Sequence, residues 1–300
     1  MLALWNRLPV ILRAVLAGAV VAVVGGVPWA VLVGLNIKHW PAVPWAVVPA
    51  AAYLWPFWLY LNGAGWPQST AQARRSNCRA NRLPDEVWGA AILAGFLGLV
   101  ALALFQRVMN RLVVLPQQQD LDPSKFSLLC VFLWVSMGSI VAGVVEEAAF
   151  RGYLQAPIER RHGPVLAILI TGILFGFGHF GHPEVGVVLL PYYVAVAAIY
   201  GALAYLTNSI LPSLVLHAGG NMLGALTLFT QGAAEWQATP HPAPLVWQTG
   251  IDASFASSVV ITILAGVAAV WGYSNLAEVA RAHGISRSAR GAAALESSSS

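Results

Sequence analysis

The chain has 300 residues, of which 58% are hydrophobic and only 9% charged, against roughly 25% charged in an ordinary soluble domain. This excludes a soluble globular protein and leaves no room for a separate soluble domain, because each membrane-spanning helix takes about 20 apolar residues. Sixteen basic residues against twelve acidic ones give a net charge of +4, and the basic residues lie mostly in short loops, as membrane-orienting charge does, which argues against a nucleic-acid partner.

Hydropathy predicts an all-α, polytopic transmembrane helical bundle of about eight spans, at 10–35, 43–62, 87–107, 127–156, 164–182, 185–206, 210–230 and 254–275. The first segment follows Arg7 and Arg13 but has no clear small-residue cleavage site, so it is expected to be a retained span. Pro41 and Pro44, the polar run from Gln68 to Pro84, Pro116 to Pro123, His162-Gly163-Pro164, Pro183, Asn208 to Pro212 and the stretch 232–250 punctuate the spans. Residues 1–290 are expected to form one domain, and 291–300, ending in four serines, read as an appended tail. Cys78 and Cys130 are too few and too differently placed for a disulfide framework.

With the N-terminus in the cytoplasm, that side collects Arg7, Arg13, Arg74, Arg75, Arg79, Arg82, Arg160, Arg161, Arg281, Arg287 and Arg290, while the other receives Lys38, Arg107, Arg111 and Lys125. Both termini are therefore expected to be cytoplasmic. The basic run from Arg74 to Arg82 reads as a topogenic loop that could also contact anionic lipid. Trp40, Trp45, Trp55, Trp58, Tyr60, Trp88 and Trp236 fall near span ends, as interfacial anchors do.

Three polar patches interrupt the apolar segments. The fourth carries Glu146-Glu147-Ala-Ala-Phe-Arg151, the fifth Phe175-Gly-Phe-Gly-His179, and the seventh His217-Ala-Gly-Gly-Asn221. A carboxylate in a membrane helix costs a few kcal/mol even on the mildest scale, so an adjacent pair needs a reason. Spacings of four residues put Glu147 with Arg151 and His217 with Asn221 on one helix face each. Glu146 lies seventeen residues before Gly163 and His179 sixteen after it, which sets them at one level in an antiparallel helix pair. His217 is eight residues beyond Ser209, at a similar depth.

One glutamate paired with Arg151 leaves the other to take a proton from water, with His179 holding that water or sharing its proton. His217 and Asn221 are donors suited to a developing oxyanion, each worth about 3 to 4 kcal/mol in such a role. These parts describe amide hydrolysis. The small residues Gly143, Ala148, Ala149, Gly172, Gly176, Gly178, Ala218, Gly219 and Gly220 allow close helix packing and leave room for a substrate backbone.

In this order the patches, Glu-Glu-x-x-x-Arg, Phe-x-x-x-His and His-x-x-x-Asn, resemble the CAAX prenyl endopeptidase and bacteriocin-processing (CPBP, or Abi) family of intramembrane glutamic proteases, over roughly residues 127–229. The resemblance implies an eight-span enzyme whose catalytic residues are Glu146, His179, His217 and Asn221, supported by Glu147, Arg151 and Phe175. Glu146 is then the water-activating base, and His217 with Asn221 the oxyanion pair. The family was long called metalloproteases, and Glu146, His179 and His217 could in principle hold zinc. A metal-free glutamate mechanism, without cofactor, is the preferred reading. The implied partners are a membrane-associated peptide or protein substrate and the bilayer itself. Lys38 and Lys125 are the only lysines among sixteen basic residues, which with the short loops suggests a bacterial inner membrane.

Two other classes use buried Glu and His residues: a membrane transporter with a proton relay, and a catalytically silent scaffold or immunity protein. The zinc-protease His-Glu-x-x-His, the serine-type Gly-x-Ser-x-Gly and the aspartyl Gly-x-Gly-Asp signatures are not in the sequence.

Overall fold

The computed structural model describes residue 5 and residues 7–114, 125–179, 183–231 and 244–285, with the backbone alone at 183–186 and 226–231. His182, Trp236, the loop run 116–123, the stretch 232–243 and the tail 291–300 lie outside the described residues. Among the described residues every regular element is helical. In chain order those of more than four residues are α1 (Val10–His39), α2 (Val47–Leu61), α3 (Ala71–Cys78), α4 (Asp85–Leu112), α5 (Leu128–Glu146), a π-helical segment (Glu147–Gln155), α6 (Ala156–His162), α7 (Pro164–Gly178), α8 (Pro183–Thr207), α9 (Leu211–Gln231) and α10 (Ala253–Ala282).

Each of the eight apolar segments carries a helix among the described residues, and the all-α expectation holds. Among the described residues five helical stretches are long and apolar enough to cross a membrane: Val10–His39, Asp85–Leu112, Leu128–His162, Val187–Thr207 and Ala253–Ala282. The helices Val47–Leu61 and Pro164–Gly178 have 15 residues each, about 22 Å at a rise of 1.5 Å per residue, short of a hydrocarbon core of about 30 Å. Large apolar side chains such as Val260, Ile263, Leu264, Val267 and Trp271 on α10 are exposed, as a lipid-facing helix requires. The polar run after Asn62, expected as a loop, contains α3.

Local chemistry sets the boundaries. The Ser127 hydroxyl accepts the Cys130 N–H at the start of α5, and Asp252 accepts the Phe255 N–H at the start of α10, each satisfying a donor the helix leaves open. The predicted hairpin turn is at Gly163, whose φ of +85° suits a residue without Cβ. The fourth span runs on past Pro157, which sits in the first turn of α6, so it is longer than residues 127–156.

The chain forms two compact units. The first comprises residues 1–82, 121–167 and 209–232; the second comprises 83–120, 168–208 and 233–300. In the first, glycines bring backbones together. A Cβ on Gly18 would lie 3.0 Å from Ala149 O, one on Gly25 2.7 Å from Val145 Cγ1, and one on Gly143 3.0 Å from both Leu214 O and the Ala218 Cβ. Buried Asn36 ties the end of α1 to the following turn through the Trp40 and Val43 carbonyls and the Ala46 N–H, and accepts the Trp134 indole N–H. Arg74 is also buried, its guanidinium donating to the carbonyls of Tyr60, Ala64 and Pro67.

In the second unit α10 runs antiparallel to α4, with Arg111 on Asp252 (2.7 Å) at one end and His283 on Glu86 (3.0 Å) at the other. Gly98 meets Ile199, Gly172 meets Val194 and Ala197, and Gly272 meets Ala94. The Tyr273 hydroxyl donates to Ile199 O. The small-residue expectation is thus met at Gly143 and Gly172 as packing, whereas Gly219 faces open space.

Gly152, in the π-helical segment, is closely approached by backbone: a Cβ there would lie 2.9 Å from Asn77 O and 3.4 Å from Cys78 Cα. Gly152→Ala is expected to destabilise the protein by about 1 to 3 kcal/mol through overpacking, read as a lower melting midpoint in detergent. An unchanged midpoint would show that α3 can withdraw at no cost.

Candidate active site

The Glu146-Glu147 pair falls where α5 widens into the π-helical segment. Such widenings are rare and concentrate at functional sites, because the i→i+5 register re-aims side chains. Glu147 and Arg151 still meet, with Arg151 Nη1 3.2 Å from Glu147 Oε1 and both side chains fully buried. The expected ion pair is therefore present, on a π-helical rather than an α-helical turn.

α9 brings His217 against both glutamates. Its Nδ1 lies 2.8 Å from Glu147 Oε1 and its Nε2 3.7 Å from Glu146 Oε2. Because a carboxylate only accepts, Nδ1 carries the proton in that bond, which fixes the ring and leaves Nε2 on the Glu146 side. Glu146 differs from its neighbour in exposure: its side chain is 26% exposed, whereas that of Glu147 is fully buried. Two adjacent carboxylates therefore hold different stations, one fully buried between Arg151 and His217 and one partly exposed. Asn221 is half-buried one turn beyond His217 on α9.

Phe175 and His179 belong to the second unit. His179 Nδ1 lies 2.8 Å from Phe175 O, so it donates there. The ring packs on Phe175 at 4.4 Å and on Tyr193 at 5.0 Å, and Tyr193 also meets Phe175 edge-on at 5.8 Å. The Phe-x-x-x-His spacing thus has a local purpose: the phenyl ring and its own carbonyl orient the imidazole. Among the described residues no group of three or more His, Cys, Asp or Glu side chains is placed to hold a metal ion.

The seven residues picked out by the motifs all lie between Ser127 and Leu223. Residues 127–223 match the family model of the type II CAAX prenyl endopeptidase, Rce1-like. The match bears out, over that segment, the resemblance carried by the three motifs. No curated protein and no solved structure matched the chain.

Inside and outside the matched segment, the structure adds residues to those of the motifs. Ser213, one turn before His217, is fully buried, donates to Ile210 O and lies beside the Glu147 carboxylate. Gln155 donates to Glu159 at 3.0 Å, so Glu147, Arg151, Gln155 and Glu159 continue one polar row at intervals of four. That row was visible as polar residues recurring in an apolar run. Arg79 was not: the run from Arg74 to Arg82 was expected to face loop solvent or lipid, but Arg74 and Arg79 are 5% and 3% exposed. Both guanidiniums are taken up by protein acceptors, which removes them from any lipid-binding role.

Proposed function

We propose that the protein is an intramembrane endopeptidase that cleaves a peptide bond of a membrane-associated protein or peptide by glutamate-activated water. The observation that carries the reading is the split between the two glutamates: Glu147 is fully buried between Arg151 and His217, while Glu146 is 26% exposed and faces His217 Nε2 at 3.7 Å. In this reading the Glu146 carboxylate takes a proton from water, and the oxygen of that water adds to the substrate carbonyl carbon. His179, oriented by Phe175, shares the water proton, as the sequence spacing on either side of Gly163 indicates. The oxyanion is met by the Nε2–H of doubly protonated His217, whose ring Glu147 holds through Nδ1, and by the Asn221 amide N–H. Glu146 then returns the proton to the leaving nitrogen as the C–N bond breaks. No acyl-enzyme forms, and two chains leave with a new carboxylate and a new amine.

The mechanism uses no metal or other cofactor. Treatment with a zinc chelator is expected to leave peptide turnover within about twofold of the untreated value, whereas a zinc water would lose the bulk of its activity. Loss restored by added zinc would replace the glutamate mechanism with a metal-assisted one. The deciding experiment for the whole reading is reconstitution in proteoliposomes with a quenched membrane peptide library. Hydrolysis without an ion gradient supports the peptidase, and gradient-driven solute flux without hydrolysis supports the transporter. The proposed setting is a bacterial inner membrane with both termini in the cytoplasm.

A further inference from the structure

Arg79 ends α3 in the left-handed region, at φ +54° and ψ +35°. This C-cap position favours glycine, because a Cβ crowds the backbone there, and a side chain retained against that preference points to a use for the side chain. The guanidinium is buried and reaches two places. Its Nη1 donates to Glu159 at 2.9 Å and its Nη2 to the carbonyl of Arg151 at 2.6 Å. That carbonyl lies where the π-helical segment returns to α-helical register. There the Ala156 N–H goes to Gly152 O, and Arg79 supplies a donor to the neighbouring Arg151 O. The backbone of the same residue serves the other arm of the site. Arg79 O accepts the Ile210 N–H at 3.0 Å at the start of α9, while Asn81 O accepts the Ser209 hydroxyl at 2.7 Å. His217 follows within two turns of that start.

We propose that Arg79 is a positioning residue for the peptidase reaction, one side chain and one carbonyl setting the register between the helix that carries Glu146 and Glu147 and the helix that carries His217. The inference rests on the peptidase reading for its effect on turnover, and on geometry alone for its effect on the segment. Arg160 assists from α6, donating to Asn77 Oδ1 at 2.6 Å and so holding α3 in place.

The chain carries its own reporter. Cys78, next to Arg79, is fully buried, and burial pushes its thiol up to about 12, so it resists alkylation while α3 is seated. Cys130, buried in α5, reports global opening. In Arg79→Met, kcat is expected to fall about 100-fold with KM within about threefold, since misplacing reacting groups by about an ångström has that effect. Cys78 should become alkylated while Cys130 stays protected. Arg79→Lys should recover about tenfold, because an ammonium reaches one of the two acceptors but not both as a fork.

Wild-type kcat in Arg79→Met with Cys78 still protected overturns the proposal. Equal labelling of Cys78 and Cys130 overturns it as well, since the loss would then be one of overall stability. If the wild-type protein itself cleaves nothing, the peptidase reading fails. In that case the alkylation pattern alone decides whether Arg79 holds the register.

Discussion

Glu146→Gln is expected to abolish peptide cleavage while the protein folds and melts as the wild type does. Glutamine keeps the length and shape of the side chain but cannot accept the proton of water, and a positioned general base contributes on the order of 10² to 10⁴ in rate. Folding is spared because Glu146 is the open member of the pair, 26% exposed, while its buried neighbour holds Arg151. The measurement is steady-state hydrolysis of a membrane peptide by purified wild type and variant at matched melting midpoints. Turnover within a few-fold of the wild type would remove Glu146 from the chemistry, whatever the family match implies.

The same substitution one residue later should behave differently. Glu147→Gln takes the charge from a carboxylate enclosed between the Arg151 guanidinium at 3.2 Å and His217 Nδ1 at 2.8 Å, with no exposure to dilute the loss. Breaking a buried pair by neutralising one partner strands the other charge and costs about 3 to 5 kcal/mol. We therefore expect a melting midpoint lower by roughly 10 °C together with lost turnover, because the amide that replaces the carboxylate is an uncharged and weaker acceptor for His217. Arg151→Ala should resemble it in stability. A Glu147→Gln protein that melts with the wild type would mean that the ion pair contributes nothing net.

The two variants expose how much of this molecule could be read from its residues. Eight apolar segments gave eight helices because the 20-residue scale of a bilayer is written directly into composition. Glu146, Glu147, Arg151, His217 and Asn221 were visible because polar groups in such segments are expensive. Three things were not visible. The widening at Glu147–Gln155 has no period of its own in a stretch of alanines and aromatics. The bond from His217 to Glu147 joins residues 70 apart in sequence, which local spacing cannot predict. Arg79 was hidden by its neighbours, since a run of arginines beside a span has the composition of a topology signal whether its members face water or, like this one, are buried.

The helix that carries the two acids contains, in effect, one residue more than a regular spiral needs, and the surplus is absorbed between Glu147 and Gln155. Trimming that surplus would yield a straighter rod with better internal bonding, but everything on one side of the cut would swing by about 100°, the angle per residue of an ordinary turn. The carboxylates would then look away from the imidazole they now flank. Regularising this helix for robustness and preserving its chemistry are therefore incompatible aims for anyone redesigning the protein.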